Sequence, residues 1–256
     1  MVYDVCSECG AIERKRIEER LTEINNKLVR MSRQYNKSMP WLENAEEQHA
    51  QKPFHAIISN SNPRSLAEIL IASDLHKTNP LWNIKRGVCM PRNASEIAKC
   101  VQPMLQLCSA VLFVDPHFNP SKPEYRNTLR SLAMVASQNP KIRRIEYHLG
   151  DKLESGYFKD ECEKKLSSIL PNGLEITFMR WQQLEEGEKL HARYILTDIG
   201  GIGIEVGLDE GKTGETTDVS LLSEVVYSQR WECYQRETSA YRYVDKLTIT
   251  GTMDLT

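Results

Sequence analysis

Ala110-Val111-Leu112-Phe113-Val114-Asp115-Pro116-His117-Phe118-Asn119-Pro120 is the stretch that decides the fold. Its first five residues are a continuous apolar run, which suits a strand covered on both faces. Two prolines then force a loop. A helix follows with Tyr125, Leu129, Leu132, Val135 and Ala136 on one side, closed by Asn139-Pro140. Arg144 to Leu149 is the next expected strand, ended by Gly150. A helix around Phe158, Cys162, Leu166 and Ile169 comes next, and Pro171-Asn172-Gly173 leads into a strand from Leu174 to Met179. Strand, helix, strand, helix, strand implies an α/β sheet with parallel crossovers. Downstream, expected strands His191 to Thr197 and Ile202 to Val206 flank Asp198-Ile199-Gly200-Gly201, a hairpin connection that makes this part antiparallel. A helix from about Ser223 to Gln235 and a strand from Val244 to Thr250 complete a mixed sheet flanked by helices.

Upstream the pattern changes. Ile17, Leu21, Ile24, Leu28, Met31 and Tyr35 repeat at heptad spacing, so residues 11–37 predict one long helix with a coiled-coil seam. Such a helix either lies on its own domain or pairs with a second copy or a protein partner, and Pro40 ends it. Residues 41–104 carry turn signals at Gln51-Lys52-Pro53, Asn60-Ser61-Asn62-Pro63 and Thr78-Asn79-Pro80. They predict a helical linker or cap. One short helix would present Leu66, Ile69 and Leu70, and another would start near Ala94 and bend at Pro103. The expected regions are therefore 1–40, 41–104 and 105–256.

Composition narrows the function classes. The 256 residues are 40% hydrophobic and 27% charged, enough apolar material for a real core. With 33 basic against 35 acidic side chains the formal charge is −2, so contact with a polyphosphate needs a local patch rather than a global field. No apolar run approaches the roughly 18 residues of a spanning helix. The N-terminus lacks the basic and then apolar stretch of a secretory leader. Seven scattered cysteines suit a reducing compartment, and a cytoplasmic location is expected. Cys6-Ser7-Glu8-Cys9 is half of a zinc knuckle without its second half. Cys89, Cys100, Cys108, Cys162 and Cys233 read mostly as core filler. Only three residues separate Gly207 from Gly211-Lys212-Thr213, where a P-loop needs four. Residues 207–214 are expected to be a mobile loop over the site instead.

The chemistry concentrates in Leu190-His191-Ala192-Arg193-Tyr194-Ile195-Leu196-Thr197-Asp198. Side chains two apart on a strand share a face, so His191 and Arg193 would point the same way. The planar guanidinium fork binds two phosphate oxygens, and a neutral imidazole attacks phosphorus or moves a proton. Polar residues facing water from a half-buried strand give the same pattern. His117 follows the first strand, and ligands of open α/β sheets bind beyond the carboxyl ends of strands. If His191 shares that end, two imidazoles converge within one chain; otherwise His117 is an exposed loop histidine. His148 ends the next strand and is a weaker candidate.

His191-x-Arg193-x4-Asp198 resembles the H-x-K-x4-D signature of the phospholipase D superfamily, with arginine in place of lysine. His191-Ala-Arg193-Tyr-Ile195, Gly200-Gly201 and Ile204-Glu-Val-Gly207-Leu208-Asp209 are similar to the H-D-R-x-I, G-W-x-I and G-L-D pattern of the carboxy-terminal phospholipase D-like domain of MIT (microtubule-interacting and trafficking) proteins, which has bacterial relatives. Phe113-Val114-Asp115-Pro116-His117-Phe118 resembles the opening strand and Asp-Pro-Tyr loop of that domain. The resemblance spans about residues 105–250. It implies a phospholipase D-like fold whose ligand lies against Arg193, Asp115, Gly207 and Asp209, with Asp198 orienting the strand end or the histidine, and with no cofactor or metal. In the active enzymes two such motifs meet, one histidine forming the phospho-enzyme bond and the other protonating the leaving oxygen. This chain has one copy, so a homodimer would bring two His191 residues together. Gly207-Leu208-Asp209-Glu210 stands where those enzymes carry Gly-Ser-x-Asn, and its carboxylates bring negative charge to the oxyanion position. The resemblance thus favours a module binding a phosphodiester or other anion, such as nucleic acid or phospholipid, in a prokaryotic defence complex. A dimeric phosphodiesterase or nuclease with His191 as nucleophile is the alternative, and a scaffold acting through residues 11–37 a third.

Overall fold

The structure, a computed structural model, describes residues 33–71, 75, 76, 78–237 and 239–254, and before them residues 10–12, 15, 16, 18, 19, 22, 29 and 31. The chain forms two compact units, Met1–Gln34 and Tyr35–Thr256. In the first, the described residues from 11 to 22 are helical, whereas Val29, Met31, Arg33 and Gln34 are not. Most of the expected heptad seam (Ile17, Leu21, Ile24 and Leu28) and the Cys6–Cys9 pair lie outside the described residues. A helix running to residue 37 is ruled out by Asn36. Its backbone N–H donates to Asn44 Oδ1 (2.7 Å) and its carbonyl accepts from Asn44 Nδ2 (2.9 Å), so both groups are satisfied without a helical turn. Pro40 opens a helix instead of closing one: α1 begins at the next residue (Trp41–Gln51).

β1 (Ile57–Ser59) and β2 (Ile69–Ile71) form a small parallel sheet of their own. The helix expected around Leu66, Ile69 and Leu70 is therefore a turn followed by a strand. A short apolar run fits either period, and the isoleucines flanking Leu70 favour the extended state.

The main sheet is built from β3 (Gly87–Pro91), β4 (Ala110–Val114), β5 (Arg144–Gly150), β6 (Glu175–Gln182), β7 (Tyr194–Thr197), β8 (Gly200–Ile204), β9 (Thr216–Leu221) and β10 (Arg242–Thr250). The helices are α2 (Ala94–Leu105), α3 (Pro123–Ser137), α4 (Ser155–Lys165) and α5 (Glu224–Cys233). The strand order is β10-β6-β5-β4-β7-β8-β9-β3. β4, β5 and β6 are parallel, as their helical crossovers require, and every other pairing is antiparallel. Residues 41–104 are thus more than a linker or cap, because β3 and α2 belong to this layered structure. β9, expected to be loop, joins β3 to the rest.

β4 sits in mid-sheet and is buried on both faces, which is why it reads as an unbroken apolar run. On one face Val111 and Phe113 pack with Ile97, Val101 and Leu105 of α2, Leu129 and Leu132 of α3, and Phe158 of α4. On the other, Leu112 and Val114 meet Trp181, Leu196 and Tyr234, with Tyr227 and Trp231 of α5 packed alongside. Each fully buried side chain of this size contributes about 2 kcal/mol by removal from water. Among the described residues no helix is long and apolar enough to cross a membrane.

Candidate functional site

The pairings gather one set of strand ends. The carboxyl ends of β3, β4, β5, β6 and β8 lie at the same edge of the sheet as the amino ends of β7, β9 and β10. That edge receives the Asp115–His117 loop, Lys152 after β5, the His191–Arg193 segment before β7, and residues 205–215 between β8 and β9.

Asp115 is the floor. It is fully buried, and its carboxylate accepts from the backbone N–H of His117 (2.9 Å) and of Leu208 (2.8 Å). Burial pushes its pKa up; the two N–H groups and the Arg193 charge pull the other way, and Asp209 adds to the rise. Pro116 O accepts from Gly150 N (3.2 Å), tying the Asp-Pro loop to the end of β5.

His117 is half-buried, and Lys152 Nζ donates to its Nδ1 (3.1 Å). Its pKa is lowered, first by burial and then by the Lys152 and Arg193 charges, with His191 acting in the same direction. His117 therefore shares one electrostatic neighbourhood with Arg193 and His191, and burial and the Lys152 contact keep its imidazole neutral at neutral pH. Lys152 was missed by the sequence reading; the only signal was its position just past the carboxyl end of an expected strand.

β7 starts at Tyr194, so His191 and Arg193 precede the strand instead of lying in it. His191 N donates to Lys189 O (3.1 Å) in a turn, and the His191 side chain is exposed. The pairing extends as far as Arg193, whose carbonyl accepts from Ile204 N (3.0 Å). Ile195 enters one core cluster while Tyr194 and Leu196 enter the other, as period-two alternation requires. The Arg193 guanidinium makes no hydrogen bond or ion pair among the described residues, and its Nε is buried. Tyr147 Oη and Arg92 Nε are likewise buried without a partner. Asp115 and Asp209 act on both Tyr125 and Tyr147, and Arg193 and Arg92 act on Tyr125, so these groups share the neighbourhood beneath Arg193.

Two expected ligand residues have internal duties. Asp209 forms an ion pair with Arg92, which also reaches Glu215 (3.4 Å). Gly207 lies close against Asp115 and Asp209: a Cβ there would stand 2.5 Å from Asp209 Oδ1 and 3.2 Å from Asp115 Oδ2. Glu210 accepts from Ala94 N at the start of α2 (3.0 Å) and from Asn127 Nδ2 (2.7 Å). Residues 207–215 are thus latched by three carboxylates, not loose over the site, and the negative charge of Asp209 is balanced by Arg92. Beside them Arg92, Lys212 and Thr213 line a groove of about 410 Å³.

Asp198 is at the opposite edge of the sheet. It accepts from Ser109 N (2.8 Å), Ala110 N (3.1 Å) and Ser109 Oγ (2.5 Å), capping the start of β4. Five residue steps of about 3.3 Å set it roughly 16 Å from Arg193 along the strand. It orients a strand end, and a role on His191 is excluded. His148 is buried in the sheet, accepting at Nδ1 from Trp181 Nε1 (2.9 Å) and facing Glu146 at Nε2 (3.0 Å). Among the described residues no group of three or more His, Cys, Asp or Glu side chains is set to hold a metal ion.

No family model and no curated protein matches the chain. Among solved structures it is similar to phosphatidylserine synthase of Haemophilus influenzae Rd KW20, at 9% identity and a TM-score of 0.38 over 58% of this chain and 36% of that one. It is also similar to TrmBL2, an archaeal chromatin protein whose structure shows a novel mode of DNA binding, at 10% identity and a TM-score of 0.32 over 63% of this chain and 55% of that one. The chain thus spans about a third of the first protein and just over half of the second.

Proposed function

We propose that this chain is a phospholipase D-like module that binds the phosphate of a phosphodiester, or a similar oxyanion, at the edge of the sheet where Arg193, His191, His117 and Lys152 converge. The observation that carries this reading is Arg193. Its guanidinium is committed to no partner among the described residues, and its Nε is buried. The nearby Asp115 already accepts two backbone hydrogen bonds. A buried donor left without an acceptor costs about 1–3 kcal/mol, and an arriving oxyanion recovers that cost. Lys152 supplies a second cation at the same place. Membership of a prokaryotic defence complex and homodimerisation follow from the resemblance alone.

The test is titration with inorganic phosphate and with a short labelled oligodeoxynucleotide. Arg193→Ala should weaken both by about tenfold or more while the circular dichroism spectrum stays unchanged. Full affinity in both Arg193→Ala and Lys152→Ala would overturn the reading.

The electrostatic effect of His191 on His117 favours a second reading, turnover within a single chain. His191 would attack phosphorus as the P–O bond to the leaving group breaks, with the proton on His117 passing to that oxygen; water would then attack the phospho-histidine and release His191. The lowered pKa of His117 counts against this, because a neutral imidazole is a poor proton donor. Hydrolysis of bis(p-nitrophenyl) phosphate that disappears in His191→Ala would establish turnover.

A further inference from the structure

The two edges of the main sheet are built differently. β10, at one edge, is guarded: it carries Arg242, Asp245 and Lys246, and its register shifts between Tyr243 and Asp245. Charges and bulges of this kind stop a foreign strand from pairing. β3, at the other edge, is Gly87-Val88-Cys89-Met90-Pro91, with no charged residue, and its pairing with β9 runs without a shift. Its outer backbone groups face no strand among the described residues.

The segment leading into β3 is apolar and basic, while Asp218 of β9 is the exposed carboxylate opposite Cys89. Every residue from Trp82 to Cys89 is exposed, and Trp82 (49%), Ile84 (59%) and Val88 (50%) leave large apolar side chains in water. Leu221, also half exposed, donates its backbone N–H to Arg86 O (2.7 Å) and so extends the same surface. Lys85 and Arg86 pair with no carboxylate among the described residues. Exposed apolar groups on an unpaired edge strand and in the segment leading into it mark an interaction site.

We propose that β3 is a strand-addition site for an extended protein segment that alternates apolar and acidic side chains. The backbone edge would supply main-chain hydrogen bonds, Trp82, Ile84 and Val88 would cover the apolar side chains, and Lys85 and Arg86 would meet the carboxylates. A second copy of this chain is the wrong occupant, because it would bring another uncompensated Lys85–Arg86 pair to the same edge.

The probe is a fluorescein-labelled peptide of alternating valine and glutamate, added to the full chain and followed by fluorescence polarisation and by hydrogen–deuterium exchange. Binding should slow exchange of the Gly87–Cys89 amides. Val88→Lys, and separately the double change Lys85→Glu with Arg86→Glu, should each weaken binding by about tenfold or more, with melting unchanged because these side chains are exposed. Arg193→Ala should bind the peptide like the wild type, which separates this site from the anion site. Equal binding of an alternating valine–lysine peptide, or no added protection at Gly87–Cys89, would overturn the proposal. So would absence of peptide binding together with either Trp82-dependent binding to phosphatidylserine vesicles or self-association abolished by Val88→Lys.

Discussion

Gly207 shows how tightly single positions are specified at the site. A methyl group there would push Asp209 out of its ion pair with Arg92 and crowd the floor carboxylate of Asp115. Asp209 cannot swing away freely, because Arg92 would be left half-buried with only its longer contact to Glu215 (3.4 Å). Gly207→Ala should therefore lower stability by about 1–3 kcal/mol, read as a shift in the urea midpoint. A variant as stable as the parent would mean that the Arg92–Asp209 pair is dispensable. His191, Arg193 and His117 could be picked out as residue types from the chain alone, since the proposed phosphate binding calls for imidazole and guanidinium. The duties of Asp209 and Asp198 were not. A carboxylate has the same symbol whether it faces a ligand, an arginine or a strand end, and only the partner tells them apart.

At the scale of elements, Asp198 is part of the connection between β7 and β8 and the cap of β4. Asp198→Ala removes the acceptor for Ser109 N and Ala110 N, and should cost about 1 kcal/mol of stability in thermal melts. Phosphate affinity should be unchanged, because the residue lies at the far end of the strand. Loss of binding in a fully folded Asp198→Ala would restore it to the site. The elements that depend on local pattern were readable: β4 by its apolar run, β7 and β8 by the glycine-containing connection between them, and α5 as a helix starting near Ser223. β9 was not, although Thr217 and Val219 alternate with exposed Thr216, Asp218 and Ser220. Its buried residues are few and mixed in polarity, so the alternation is weak until β8 and β3 flank it. β3 was hidden for a related reason, since an edge strand has one paired side and little to bury.

The whole molecule carries a polar chain through the packed face of its sheet. Arg144 Nη2 bonds Glu146 Oε2 (2.7 Å), Glu146 faces His148, and Trp181 closes the chain. Burial holds the His148 pKa down, so the folded state keeps it neutral while the unfolded chain takes up a proton near pH 6.5. For Glu146 burial alone would raise the pKa, but the hydrogen bonds from His148 and Arg144 outweigh it and hold it at about 2. Both groups bind more protons unfolded than folded, so their stabilisation is complete above about pH 6.5 and is lost on acidification. The His148 part fades first, as pH drops below 6.5, and the Glu146 part between its ordinary range and about 2. The melting temperature should fall steadily from pH 7 to pH 3, and a flat profile would show that the chain of contacts is not coupled to folding. By itself the sequence determined the α/β class and the parallel crossovers, because these depend on periodicity that neighbours along the chain already express. Only the tertiary structure decided that Lys152 joins His117, that Asp209 belongs to Arg92, and that Asp198 caps the start of β4, at the end of the sheet away from Arg193. Those facts depend on which strand ends meet, and strand order is set by contacts between residues far apart in the chain.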